Sequence, residues 1–345
     1  MRIREKIIDT INDKKNIRLD EFINNCLYNQ DAYYIKKNPI GKYNDFVTAP
    51  EISQMFGEII GSYIINYWIT HINSTFNLVE LGPGKGSLLK DILRVAEYKK
   101  KFLRSAKIYL IEKNKELIKI QKKNINHSDL NITWKKELAF NSSIPSIIYS
   151  NEFFDCLAIR QFLKKEYWLE KYVGYNRNTD QFYFVDKKVN NKKLITKLEK
   201  LYENDIVEIS SIRERFFDKI CKKIKKDKGI IITIDYGYNK SLNNFSLQAV
   251  FNHKKTHIFD NVGKQDISSL VNFNDLISIA KKNDLKIDFF SNQKKFLLNY
   301  GIVERKNHLK KSKSKEEQKN IDIAFERLTN DEQMGKKFKV LIVSS

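Results

Sequence analysis

Between Asn77 and Ser150 short apolar runs alternate with stretches of helical periodicity: "NLVELG", "SLLKDILRVAEY", "KIYLIE", "KELIKIQKK", "NITW" and "SIIYSN". Strand alternating with helix predicts a parallel sheet with right-handed crossovers. Upstream, Ile3, Ile7, Ile8 and Ile11, then Leu19, Phe22, Ile23 and Leu27, recur at helical spacing and predict two short helices. "APEISQMFGEIIGSYIINYWITHI" reads as one long apolar helix through Trp68, with Thr48 as N-cap and Pro50 in its first turn.

Downstream, "YWLEKYVGYNRNTDQFYFVDKK" alternates at period two around "YNRNTD" and predicts an antiparallel hairpin. A helix from Ile212 to Lys225 leads to the strand "GIIITIDYG". Then come a helix near Phe273 to Asn283, the strand "LKIDFF", a charged segment from Lys306 to Gln318 and a terminal strand "FKVLIVSS". The expected organisation is a helical extension over 1–75 and one α/β domain over 76–345, with an insertion near 163–205.

Charge changes this picture little. The 63 Lys+Arg against 42 Asp+Glu give +21, which permits attraction to polyanions. The lysines are scattered among Asn and Ile along the whole chain, however, so a solvated surface outweighs a nucleic-acid site. Cys26, Cys156 and Cys221 show no CxxC spacing, which favours a reducing compartment. No apolar run reaches the roughly 20 residues of a spanning helix, so no membrane insertion is expected. The first residues lack a signal-peptide centre and carry Glu5, Asp9 and Asp13, unlike an acid-poor transit peptide, so a cytoplasmic protein is expected. The five histidines have no metal-ligand spacing, and no metal is expected.

The chemistry begins at "LVELGPGKGSLLKDIL", where Glu80, Gly82, Gly84 and Gly86 fall on a strand-to-helix turn. Glycines there let a ligand approach the backbone and leave helix-start N–H groups free. A Walker A loop fails, because Val79 stands where the leading Gly should be and Gly86 where Ser or Thr should be. A GxGxxG fingerprint would place its third glycine at Ser87. What remains is E-x-G-x-G-x-G, the form of class I S-adenosylmethionine (SAM) methyltransferases. Glu112 ends the next strand, where a carboxylate can accept from both ribose hydroxyls. The adenine contact stays open, with Asp129 just before the third strand.

The fourth strand runs into "SNEFFD", placing Asn151, Glu152 and Asp155 beside two phenylalanines at the carboxyl end of the sheet. A carboxylate among aromatics is costly without a partner or a job. Carboxylates there suit a cationic acceptor, with Glu152 orienting it and Asp155 in support. The bland alternative has Asn151 and Asp155 capping a helix over "CLAIRQF" and Glu152 paired to Arg160 or a lysine. The segment lacks the Asn-Pro-Pro-aromatic of base-amine methylation, and Cys156 lacks the preceding Pro of a C5-cytosine nucleophile. "IDYGY" brings Asp235, Tyr236 and Tyr238 to the next strand's carboxyl end, where they either line an acceptor site or simply end a strand.

Together with "DFVTAPEISQMFGE", these stretches make the chain resemble the MidA-like family of SAM-dependent methyltransferases. The likeness continues through "LIEKNKELIKIQ", "IDYGY", "FLLNYGI" and "RLTNDEQMGKKFKVL". It implies a Rossmann-like, seven-strand class I fold with SAM as cofactor and a protein arginine as acceptor. In the family's mitochondrial branch the substrate is a subunit of respiratory complex I. It also implies cofactor contacts at Glu80, Gly82, Gly84 and Gly86, and it places the family signature on Asp45, Phe46, Thr48, Ala49, Pro50, Glu51, Ser53, Gln54, Phe56, Gly57 and Glu58. Thr48, Glu51 and Ser53 either close over SAM, as the signature favours, or cap the long helix, and Asn151 is a further expected cofactor contact. A homodimer is a further expectation. Leu270 and Asn272 depart from a His and an Asp of the family pattern, which keeps an assembly chaperone that binds SAM as the alternative to an enzyme.

Overall fold

The computed structural model describes residues 3–29, 32–36, 48–127, 130–140, 143–201 and 205–345; Asp45, Phe46 and Asp129 lie outside them. The chain parts into two compact units, and the boundary is not the one expected at residue 75. One unit comprises Val47–Phe153, Phe217–Gly237 and Asp275–Ser345; the other comprises Met1–Phe46, Phe154–Phe216 and Tyr238–Asn274.

The larger unit is built on seven strands: β1 (Phe76–Leu81), β2 (Ala106–Ile111), β3 (Ile132–Lys135), β4 (Ser146–Asn151), β5 (Gly229–Tyr238), β6 (Lys286–Asn292) and β7 (Phe338–Ser344). Their spatial order is β3-β2-β1-β4-β5-β7-β6. All neighbours from β3 to β5 pair in parallel, and β7 runs antiparallel to both β5 and β6. The central strands β1 and β4 are buried along their whole length, which is why they read as continuous apolar runs rather than alternating ones. Ile147, Ile230, Ile232, Val340 and Ile342 pack against Phe56, Ile60 and Ile64 of helix Gln54–Tyr67 in one core.

That helix is shorter than the sequence suggests. Ser53 is extended, with φ −162° and ψ 140°, so the apolar stretch divides into a short helix Ala49–Ile52 and the helix Gln54–Tyr67. The Ser53 hydroxyl accepts from Met55 N–H at 3.2 Å and restarts the helix as its N-cap. The charged stretch near Lys306 is also helical, Ile302–Lys310 and then Lys315–Thr329, the second opened by a capping box between Ser314 and Glu317.

The smaller unit joins the N-terminal helices to the hairpin. Ile17–Arg18 pairs antiparallel with Trp168–Asn176, which also pairs with Arg160–Lys164 and with Gln181–Lys188. Ile3, Ile7 and Ile11 of helix Ile3–Lys14 share a core with Phe22 and Leu27 of helix Leu19–Tyr28 and with Val173 and Phe182 of the hairpin. No helix forms over "CLAIRQF": residues 155–157 turn and Arg160–Lys164 is a strand. Arg160 binds Glu170 through both Nε and Nη2, at 2.6 and 2.7 Å, rather than Glu152.

Candidate functional site

The turn after β1 is left-handed at alternate residues, with φ of 61°, 55° and 83° at Gly82, Gly84 and Gly86. A side chain at Gly82 would be strained by that backbone, and its Cβ would also meet the Phe153 ring at 2.8 Å. Gly86 then opens helix Ser87–Ala96. Just upstream of this, Glu80 is buried in β1, where the Tyr149 hydroxyl donates to it at 3.2 Å. Burial pushes its carboxyl up to about 8, against the smaller opposing effect of the Tyr149 bond.

Glu112 follows β2 directly. Its Oε1 accepts from the backbone N–H groups of Lys113 and Asn114, both at 2.8 Å, and its Oε2 from Gln121 Nε2 at 3.3 Å. Burial raises its pKa and these three bonds oppose the rise.

Gln121 is the residue that sequence reasoning missed. Fully buried, it donates from Nε2 to the Gly84 carbonyl at 2.7 Å as well as to Glu112, and its Oε1 accepts from Trp134 Nε1 at 2.8 Å. One amide thus links the glycine turn, the carboxylate after β2 and β3. The signal was present: Leu117, Gln121 and Ile125 form the buried stripe of helix Lys115–Ile125, and a glutamine stands in the middle of it.

The Ala49–Ile52 segment meets the same turn. The Ser87 hydroxyl donates to Glu51, and Lys85 Nζ lies 3.8 Å from the other oxygen of that carboxylate. Thr48 is buried at the start of this segment, and its carbonyl accepts from Glu51 N–H. Ser53 is occupied as a helix cap.

At the end of β4, Glu152 is a non-glycine residue with φ 51°. Its N–H continues the sheet ladder to the Ile234 carbonyl at 3.0 Å. Its Oε1 accepts from Asn151 Nδ2 at 3.0 Å and from Ala49 N–H at 3.3 Å. Asp235 does not line an open site. Buried completely, it accepts from Phe153 N–H at 3.1 Å and from Tyr236 N–H at 2.9 Å, holding the turn that carries Glu152. Asp155 belongs to the smaller unit, where its carbonyl accepts from Ser269 N–H at 3.0 Å. In that unit the Leu270 carbonyl accepts from the buried Arg213, and Asn272 Oδ1 accepts from Asn274 N–H, a capping bond an Asp would make equally well.

One observation tests whether these residues suit a nucleoside cofactor bearing an ammonium group. Asn151 Oδ1 is buried and makes no hydrogen bond to any described residue. Asn151 follows Ser150, which pairs with Leu81 just before the glycine turn, and an orphaned acceptor at that end of the sheet fits a ligand with a donor to offer. Among the described residues no group of His, Cys, Asp or Glu is arranged to hold a metal ion.

The strand order, the antiparallel last strand, the glycine turn after β1 and the acidic residue after β2 define a class I SAM-dependent methyltransferase. Residues 59–291 match the family model described as "Putative S-adenosyl-L-methionine-dependent methyltransferase", and the chain belongs to that family. It is an enzyme, and SAM is its cofactor. It is 28% identical to the mitochondrial protein arginine methyltransferase NDUFAF7 of Danio rerio, over 95% of this chain and 83% of that one. The Homo sapiens protein of the same name is also 28% identical, over 93% and 78%. A Burkholderia thailandensis protein crystallised with S-adenosyl-homocysteine superposes with a TM-score of 0.87, at 20% identity, over 99% of this chain and 92% of that one.

These relatives overturn the expected cytoplasmic location, since they are named as mitochondrial proteins. That expectation rested on the composition of the first residues alone, and the composition of one segment does not decide a compartment.

Proposed function

We infer that this methyltransferase modifies an arginine side chain of a protein. The observation that carries the reading is Glu152, a carboxylate at the carboxyl end of β4 that accepts from Asn151 and Ala49 and is set on a left-handed backbone. Strain of this kind concentrates where geometry serves function. A carboxylate is the natural partner of a planar guanidinium, which it can grip through two parallel hydrogen bonds. The names of the curated relatives, protein arginine methyltransferases, support the same acceptor. The family resemblance further suggests a respiratory complex I subunit as the protein.

On this reading the glycine turn carries the methionine portion of the cofactor and Glu112 accepts from its ribose hydroxyls. Asn151 Oδ1 accepts from its ammonium group, while Glu51, with Thr48 and Ser53 on either side, braces the turn through Ser87. SAM supplies an electrophilic methyl group on its sulfonium. Glu152 would hold the acceptor guanidinium in a fixed orientation, which would lower the orientational cost of methyl transfer.

Labelled SAM incubated with a cell lysate, followed by sequencing of the labelled peptide, tests the acceptor; label on lysine or on nucleic acid would refute it. Glu152→Gln should bind S-adenosyl-homocysteine almost as the parent does and lose on the order of a hundredfold or more in transfer rate.

A further inference from the structure

The smaller unit holds a concavity, about 490 Å³ in volume, lined by Arg18, Arg160, Glu170, Tyr172, Lys187 and Lys188 together with Asn190 and Asn191. Sheet register explains the gathering. Arg18 lies opposite Tyr172, Lys187 opposite Glu170, and Phe162 opposite Glu170 with Arg160 two residues along. Directly opposed residues share a face, so Arg18, Arg160, Glu170, Tyr172 and Lys187 all stand on one side of the sheet; Lys188, opposite Leu169, is outside that set and lines the concavity from the end of its strand.

Four of these side chains are cations and only Glu170 is an anion. Arg160 takes up that carboxylate through Nε and Nη2, and Arg18 engages Asp20 the same way, at 3.0 and 3.2 Å. Each guanidinium keeps its Nη1 amino group without a hydrogen bond to any described residue. Lys187 and Lys188 pair with no carboxylate among the described residues. With Glu170 and Asp20 each taken up by an arginine, Lys187 and Lys188 are the uncompensated positive charge at this concavity, which favours an anion there.

We propose that this pocket is a docking site for an acidic protein segment, seating its carboxylates against Arg18, Arg160, Lys187 and Lys188. The volume falls within the roughly 300–1,000 Å³ of sites that enclose small ligands, enough for a few side chains. The rings favour a peptide over single-stranded nucleic acid, which needs aromatic faces for base stacking. Lys187 already sits 4.6 Å over Tyr172, Lys188 4.3 Å over Tyr167, and the Arg160 guanidinium 4.9 Å over Phe162. The site is independent of the cofactor and of the acceptor residue, and so is its test.

The test is fluorescence anisotropy of a labelled Glu/Asp-rich dodecapeptide, with its Gln/Asn counterpart and a single-stranded oligouridylate as comparison probes. The full-length protein should bind the acidic peptide in a salt-dependent manner and ignore the neutral one. K187E/K188E should weaken binding about tenfold or more. K187Q/K188Q should lie between, and circular dichroism should report the parent fold for both. K90E/K123E, which reverses two lysines lining a different concavity, should change little. Equal loss in K90E/K123E would reduce the effect to the overall +21 charge. No peptide binding, or oligouridylate binding more tightly and lost in the same variant, would overturn the proposal.

Discussion

Gln121 Nε2 donates to the Gly84 carbonyl at 2.7 Å, and the other end of the same amide accepts from Trp134. The glycine turn is therefore not a free loop that waits for a ligand. It is braced from beneath by a buried side chain that also reaches Glu112. Gln121→Leu keeps the volume but strands the Gly84 carbonyl and the Trp134 indole N–H, each at about 1–3 kcal/mol. Calorimetry should show S-adenosyl-homocysteine binding weakened by about tenfold or more. Parent-like affinity with only a lowered Tm would make the residue a packing element.

The backbone of Glu152 is held from both sides, by Ile234 through its own N–H and by Asp235 through the next one. Asp235→Ala removes the acceptor for Phe153 N–H and should cut transfer far more than cofactor binding. Asp235→Asn retains one acceptor oxygen and should recover part of the rate. If both variants lose cofactor affinity and transfer in equal proportion, Asp235 supports the fold and not the placement of Glu152.

Gly82 combines a φ of 61° with a ring 2.8 Å from where a Cβ would stand. Gly82→Ala should cost about 1–3 kcal/mol from backbone strain alone, more with displacement of Phe153. Thermal unfolding reads the first effect and S-adenosyl-homocysteine titration the second. An unchanged Tm would show that the turn relaxes freely.

Burial holds the Glu80 carboxyl at about 8, whereas an unfolded glutamate titrates near ~4.3. Between those values the folded chain keeps a proton that the unfolded chain has released. The stability from this group is whole below the unfolded value and is lost progressively as the pH rises through the folded one. Glu80→Gln offers Tyr149 the same kind of acceptor without a titrating proton. Its Tm should fall less than the parent's between about pH 5 and pH 8; parallel curves would mean the carboxyl is not protonated in the fold.

The sheet was legible because its strands are buried on both faces and so read as apolar runs bounded by helices. The glycine turn and Glu112 were legible because their residue types are tied to their positions. What escaped depends on contacts distant in sequence. "CLAIRQF" has helical spacing, yet Phe162 and Leu163 pair with Glu170 and Leu169, and strand pairing overrides local preference. Ser53 breaks a helix that every neighbouring residue would continue. Gln121 looked like any polar residue on an amphipathic helix until its stripe was assigned to the interior. The partners of the N-terminal helices were hidden for the same reason, since they lie in the hairpin.

The pairing of Ile17 with Val173 also bears on how the protein is made. Ile3, Ile7 and Phe22 have no core to enter until the hairpin has left the ribosome, and Ala249 and Ile267 arrive later still. The first helices must wait through synthesis of half the chain with their apolar faces uncovered, a condition that invites aggregation and chaperone capture. Removing these helices would leave the hairpin's own core open.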